Sequence, residues 1–230
     1  MIVKFHKNLK EFKYILMFDL ASHNTGVCLW NIKDARPVLT ETIVTNKNVE
    51  LPASELLDNL KAFCNKLVVK YGVNMLQDVL VVKEAMPTQL RGGSSTVQTF
   101  IALARSHCVL DTLMFGNMIP MYDYVGIYPI TWHNLFKQEN NLDKNDKITK
   151  ELIHEYVIEH FHLDKDIGLD ESDAVYLCHA FVSKKWNNDL SERIREIKRH
   201  RKTLKAAHAI KYCDEEIRRL ESLKFLTNQE

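Results

Sequence analysis

The chain has 230 residues, of which 46% are hydrophobic, and its formal net charge is +1. A chain of this length suits one domain with an appendage better than two full domains. Its apolar runs are all shorter than a membrane span, and residues 1–13 lack the apolar core of a signal peptide. We therefore expect a soluble intracellular protein with no membrane partner.

The first third of the sequence alternates β-prone runs with turn residues. Strands are predicted at residues 14–20, 27–33 and 38–44. This order predicts an antiparallel meander. A helix is predicted from Pro52 to about Tyr71, because its apolar residues recur at helical spacing. The apolar run from Val79 to Val82 then predicts a strand that is buried on both faces of a mixed or parallel sheet.

The rest of the chain alternates helix with strand and then becomes helical. Further elements are predicted as a helix at 96–115, a strand at 118–124, and helices at 131–136, 147–161 and 171–185. Strands followed by alternating helices and strands are typical of an α/β fold. The segment 190–223 contains neither Pro nor Gly, so we predict a long charged helix or a helical hairpin there.

Positive charge is concentrated near the C-terminus. The segment from Lys184 to Lys211 has ten Lys or Arg residues and three acidic residues, a net charge of +7, which leaves −6 for the rest of the chain. Such a segment can bind a polyanion or an acidic surface. The alternative is a solvated amphipathic helix with a seam for dimerisation, and the two roles are compatible.

Four acidic residues stand where buried elements meet loops. Asp19 ends one apolar run, Glu84 ends a second, and Asp170 and Asp173 open a third. The three-residue spacing places Asp170 and Asp173 on one face of a helix. Carboxylates brought together from distant parts of a sequence are typical of a Mg²⁺ or Mn²⁺ site, because these ions prefer oxygen ligands.

A structural role is the alternative for each acid. Asp170 and Asp173 could be N-terminal helix charges that favour the helix dipole. That interpretation fits Asp19 and Glu84 less well, because a charge at the end of a buried strand is costly unless it is paired or bound to metal. Covalent and soft-metal chemistry has little support, since the sequence has no CxxC, P-loop or GxSxG pattern. We expect no organic cofactor.

Five segments carry a further pattern in a fixed order. They are Phe18-Asp19-Leu20-Ala21-Ser22-His23-Asn24-Thr25-Gly26-Val27, Val82-Lys83-Glu84, Ala102-Leu103-Ala104-Arg105, Pro120-Met121-Tyr122-Asp123-Tyr124 and Asp170-Glu171-Ser172-Asp173-Ala174. The first resembles the first catalytic strand and turn of the RNase H-like superfamily, and the last resembles its closing DxxDA pattern. Within that superfamily, the ordered set resembles the RuvC-type Holliday junction resolvases over about residues 14–185.

The resemblance implies a fold, an activity and a ligand set. The fold would be α/β, an RNase H-like mixed five-stranded sheet flanked by helices over residues 1–186, followed by a basic helical extension over residues 187–230. The activity would be that of a homodimeric endonuclease that cuts branched DNA, such as Holliday junctions, by a two-metal-ion mechanism. The catalytic metal ligands would be Asp19, Glu84, Asp170 and Asp173, with Glu171 in reserve. They would hold two Mg²⁺ ions per site, for which Mn²⁺ would substitute.

Seven basic residues are predicted to contact DNA. Lys147 matches a basic position of the family, and Lys150 lies one turn further on. Arg91 opens a Gly- and Ser-containing loop whose backbone amides could approach phosphate. In the extension, charge alone favours Arg195, Lys198, Arg199 and Lys202.

Two other functions remain open at this stage. A non-catalytic DNA-binding or assembly protein could use the same acids structurally. A nucleotide-binding protein related to actin or the sugar kinases would share the core fold, but 230 residues leave no room for the duplicated domain of those proteins. The preference for Holliday junctions over other branched DNA also stays open.

Overall fold

The computed structural model describes residues 12–46, 52–86, 97–116, 121–123 and 129–223. The chain divides into two compact units, whose described parts are residues 12–178 and 179–223. The domain boundary predicted at residue 186 stays a prediction.

A mixed β-sheet forms the centre of the larger unit, with the strand order β3-β2-β1-β4-β5. The strands are β1 Tyr14–Asp19, β2 Asn24–Asn31, β3 Arg36–Val44, β4 Val79–Lys83 and the short β5 Met121–Asp123. The first three strands pair antiparallel, which confirms the predicted meander. β4 runs parallel to β1, and β5 runs parallel to β4. The sheet is therefore mixed, as predicted.

Helices cover both faces of this sheet. They are α1 Pro52–Tyr71, α2 Val97–Gly116, α3 Pro129–Glu139, α4 Lys150–Phe161 and α5 Leu169–Val182, with a 3-10 helix at Val73–Gln77. On one face, Phe18 of β1 packs in the apolar core with Leu60 of α1 and Leu110 of α2. On the other face, Trp30 of β2 meets Phe161 at the end of α4, with ring centroids 5.2 Å apart.

Several element boundaries differ from the sequence-based predictions by a few residues, and three of the differences concern β2, α4 and α5. β2 begins at Asn24 rather than at residue 27, because Asn24, Thr25 and Gly26 already pair with β3, and Gly26 also pairs with β1. α4 begins at Lys150 rather than at Lys147, because Thr149 caps the helix by accepting a hydrogen bond from the Leu152 N–H. The helix predicted to reach residue 185 ends at Val182, where α5 stops. Lys147 therefore precedes α4 instead of lying in its first turn.

The smaller unit contains a helical hairpin of α6 Lys184–Arg201 and α7 Ala207–Leu223. Its seam buries apolar residues of both helices, namely Ile194, Cys213, Ile217 and Leu220. Two ion pairs join the helices: Lys198 lies 2.6 Å from Glu221, and Arg201 forms a two-point pair with Asp214. None of the described helices is long and apolar enough to cross a membrane.

Candidate functional site

Asp19 and Glu84 lie side by side at the carboxyl edge of two parallel strands. β1 and β4 pair in register from Tyr14 with Val79 to Phe18 with Lys83. The pairing continues for one more residue, because the Glu84 N–H donates a hydrogen bond to the Phe18 carbonyl oxygen at 3.2 Å. Asp19 ends β1, and the charge of Glu84 acts on its carboxyl group. Parallel pairing thus joins two acids that are 65 residues apart in the sequence.

The start of α5 brings the other two acids to the same edge. Gly26 of β2 is the register partner of Asp19, and α5 passes directly over it. A Cβ atom at Gly26 would lie 1.9 Å from the backbone oxygen of Asp170, so only glycine permits this approach. The first turn of α5 then carries Asp170, and Asp173 follows one turn later on the same face.

Hydrogen bonds fix the position of this first turn. The fully buried Ser172 hydroxyl donates to the Gly168 carbonyl oxygen at 3.0 Å. Nδ1 of His154, on α4, lies 2.9 Å from the same hydroxyl and is therefore the donor in that contact. Thr42 of β3 donates to Glu171 at 3.2 Å. The reserve candidate Glu171 is thus bonded to β3.

Crowding and burial raise the pKa values of three of the four acids. Burial, followed by the charges of Glu84 and Asp173, raises the pKa of Asp19 well above its usual range. Burial also raises the pKa of Glu84 to about 7, although the hydrogen bond from Trp132 opposes the rise. Burial raises the pKa of Asp173 too, against the opposing effect of Lys150. The carboxyl groups therefore lie where negative charge is poorly stabilised, as in a site that receives a cation.

Lys150 lies among the acids. Its ammonium group forms an ion pair with Asp170 and lies 3.0 Å from Oδ2 of Asp173. Burial acts to lower the pKa of Lys150, but the two carboxylates outweigh it and raise the pKa above its usual value. Lys150 was predicted to contact DNA, and that role stays a prediction.

The donor chemistry of the four acids fits a hard divalent cation. All four offer carboxylate oxygens, the ligands that Mg²⁺ and Mn²⁺ prefer. Oδ1 of Asp173 is buried and has no hydrogen-bond partner among the described residues, so a cation would satisfy it. In the described part of the chain, however, no three His, Cys, Asp or Glu side chains are already arranged around one ion position. The acids are gathered, but they are not yet arranged as a complete ligand shell.

The predicted DNA contacts lie in different parts of the chain. Arg91 is outside the described residues, and Lys147 is exposed just before α4. Arg195, Lys198, Arg199 and Lys202 are exposed in or directly after α6. Lys198 is paired with Glu221, whereas Arg199 and Lys202 form no ion pair within residues 12–223 as described.

Sequence reasoning missed two residues that shape the site. Trp132 of α3 donates its indole N–H to Oε1 of Glu84 at 2.8 Å. Gly26 was interpreted as part of a turn, although it lies in β2 opposite Asp19. A glycine directly before a β-prone run that faces an acidic strand end could have indicated a close approach. Nothing in the sequence pairs Trp132 with Glu84.

Comparison with solved structures shows the class of fold. The fold is similar to that of RuvC from T. thermophilus in complex with a Holliday junction substrate, with a TM-score of 0.50 and 14% sequence identity. That match covers 73% of this chain and 92% of RuvC, and a second Thermus thermophilus RuvC structure matches to the same extent. No family model and no curated protein matches the chain. The fold is therefore RuvC-like, as the sequence resemblance implied.

Proposed function

We propose that this protein is a metal-dependent endonuclease that hydrolyses phosphodiester bonds in branched DNA such as Holliday junctions. The observation that carries the proposal is the convergence of Asp19, Glu84, Asp170 and Asp173 at one edge of the sheet. The RuvC-like fold supports the same activity, since one of the similar structures is a RuvC bound to a Holliday junction substrate. Such an enzyme would act inside the cell.

The four acids would hold two Mg²⁺ ions, or Mn²⁺ in their place. When bound, such ions supply an activated water and stabilise the charge on the leaving oxygen of a phosphodiester. Around them, Trp132 orients Glu84 through its indole N–H, and the bonded first turn of α5 fixes Asp170 and Asp173. Partial burial of these carboxylates at the sheet edge strengthens their attraction to a cation.

DNA binding would rest on exposed basic side chains. Lys147 lies before α4, and Arg195, Arg199 and Lys202 lie in or just after α6. Contacts from these residues to phosphates would make binding depend on salt, because each contact releases counterions. We further propose a homodimer, since two copies would place two active sites on the two symmetric strands of a junction. The mass of the protein in solution tests this directly.

Cleavage assays with matched acid variants test the proposed activity. The full chain is incubated with Mg²⁺ and a four-way junction, a flap or a linear duplex. We expect the branched substrates to be cut and Asp19→Asn to lower the rate roughly a hundredfold or more, since metal-held charge stabilisation contributes several kcal/mol.

Glu171→Gln is the control, because Glu171 lies in the same turn of α5 but is bonded to Thr42. It should keep most of the activity. An Asp19→Asn variant as active as the wild type would contradict the catalytic proposal. If no substrate is cut but the branched DNA is bound, a non-catalytic DNA-binding protein is the better interpretation.

A further inference from the structure

Lys150 forms a bridge between two helices inside the acidic site. It is the first residue of α4, and its ammonium group contacts both Asp170 and Asp173 in the first turns of α5. The side chain of Asp173 is only 6% exposed, whereas that of Lys150 is 49% exposed. The ammonium group thus belongs to a half-exposed side chain, whereas the Asp173 carboxylate is buried.

Lys150 supplies the positive charge at this site. The charge of Lys150 acts on Asp19, Glu84 and Asp173 in the opposite sense to the charges of the neighbouring acids. Without it, the carboxylates would repel one another in a poorly hydrated site. One ammonium group therefore does in this state what a bound cation would do.

The ammonium group leaves the site incompletely satisfied. Asp173 is 5% exposed, and its Oδ2 faces Lys150, yet its Oδ1 is buried with no hydrogen-bond partner among the described residues. A buried carboxylate oxygen without a partner costs free energy. An ammonium group has one positive charge and three donors, whereas a divalent ion has two charges and binds six or more oxygen ligands. A divalent ion would therefore satisfy these carboxylates more completely than the Lys150 ammonium group does.

We propose that Lys150 is the resident cation of Asp170 and Asp173, and that a divalent ion binds this pair only after the Lys150 ammonium group has left it. The inference rests on the proposed metal site and adds that Lys150 and the divalent ion compete for the same two carboxylates. It also accounts for the lack of a preformed ligand shell among the described residues, because Lys150 holds two of the four acids in contact with itself.

Competition of this kind weakens metal binding by a defined factor. The apparent dissociation constant is the intrinsic constant divided by the fraction of molecules in which the carboxylates are unoccupied. If Lys150 occupies them in most molecules, removal of its charge should tighten divalent-ion binding by about tenfold or more. A purely structural lysine would act in the opposite sense, because its loss would disorder α5 and weaken the site.

Mn²⁺ titration of the full chain tests the proposal without any nuclease assay. Binding is measured by calorimetry and by the loss of the free Mn²⁺ signal in electron paramagnetic resonance, for the wild type, Lys150→Gln and Lys150→Arg. Lys165→Gln is the control, because it removes the same charge from an exposed residue between α4 and α5. Circular dichroism confirms that each variant is folded.

We expect Lys150→Gln to bind Mn²⁺ about tenfold more tightly, while Lys150→Arg and Lys165→Gln stay near the wild type. Unchanged or weaker binding by folded Lys150→Gln, with Mn²⁺ still bound by the wild type, overturns the competition and leaves the metal site intact. If neither the wild type nor any variant binds Mn²⁺, both the competition and the proposed metal site are overturned. Thermal unfolding gives a second readout: Mn²⁺ should raise the midpoint more in Lys150→Gln than in the wild type.

Discussion

Glu84 shows the electrostatic effect of placing several carboxyl groups at one edge of the sheet. Its pKa is raised from 4.5 to about 7, mainly by burial. The folded chain therefore binds the Glu84 proton more tightly than the unfolded chain does. The stability that this proton provides is complete below the unfolded pKa and is lost as the pH rises from 4.5 to about 7. Asp19, whose pKa is also raised, acts in the same direction.

The first prediction concerns this pH dependence in the absence of divalent ions. At about 1.4 kcal/mol for each pKa unit, the Glu84 contribution is on the order of 3 kcal/mol. We expect the free energy of unfolding of the wild type, from urea titrations, to fall between about pH 5 and pH 8. In Glu84→Gln the fall should be clearly smaller, because the amide does not titrate. Equal pH slopes for the two proteins would contradict this account of the site.

At the scale of elements, the approach of α5 to β2 decides whether the acids meet. The approach depends on Gly26, since a Cβ atom there would lie 1.9 Å from the Asp170 backbone oxygen. β2 is paired with β1 on one side and with β3 on the other, so it cannot move away from α5 without breaking that pairing. The geometry of the site is thus set by backbone packing as well as by the acids themselves.

We predict that Gly26→Ala separates α5 from β2. Overpacking of this kind costs about 1–3 kcal/mol of stability, and cleavage should fall further than stability because Asp170 and Asp173 move away from Asp19. Gly116→Ala in α2 is the control, since a Cβ atom there meets nothing within 4 Å. Unfolding and cleavage are measured on both variants. A Gly26→Ala protein with wild-type cleavage would show that this approach is not required.

Basic side chains of the hairpin of α6 and α7 have two different roles: some join the two helices, and others are predicted to bind DNA phosphates. Lys198 joins the helices through Glu221, whereas Arg199 and Lys202 form no ion pair in the described part of the chain. We predict that Arg199→Gln with Lys202→Gln lowers the slope of log affinity against log salt by about 1 for each phosphate that is no longer neutralised. Lys198→Gln should mainly lower the stability of the hairpin. If the double variant binds branched DNA with an unchanged salt slope, these residues do not bind phosphate.

At the scale of the whole molecule, the fold was largely predictable from the sequence. The apolar runs that end in Asp19 and Glu84 predicted two strands, and their acidic ends met because those strands pair in parallel. The turn residues between the β-prone runs also predicted the meander, and the helical spacing of apolar residues predicted α1. The start of α4 was placed three residues early, since the Thr149 cap was not recognised.

The details of the site were less predictable, because they depend on contacts between distant elements. Trp132 meets Glu84 only when α3 packs beside β4, and Gly26 matters only once α5 lies over β2. Lys150 was predicted as a DNA contact from its place in the sequence, yet its ammonium group lies between two acids. The spacing of apolar residues predicts helices and strands, but the charges that surround a site depend on which distant residues the fold brings together.

Anomalous diffraction from crystals soaked in Mn²⁺ tests the central claim most directly, because it locates the ion without relying on activity. We predict manganese peaks at bonding distance from carboxylate oxygens of Asp19, Glu84 and Asp173, with Lys150 displaced from Asp170. Absence of a peak at this edge of the sheet, with Lys150 still paired to both aspartates at saturating Mn²⁺, would contradict a metal-dependent site formed by these four acids.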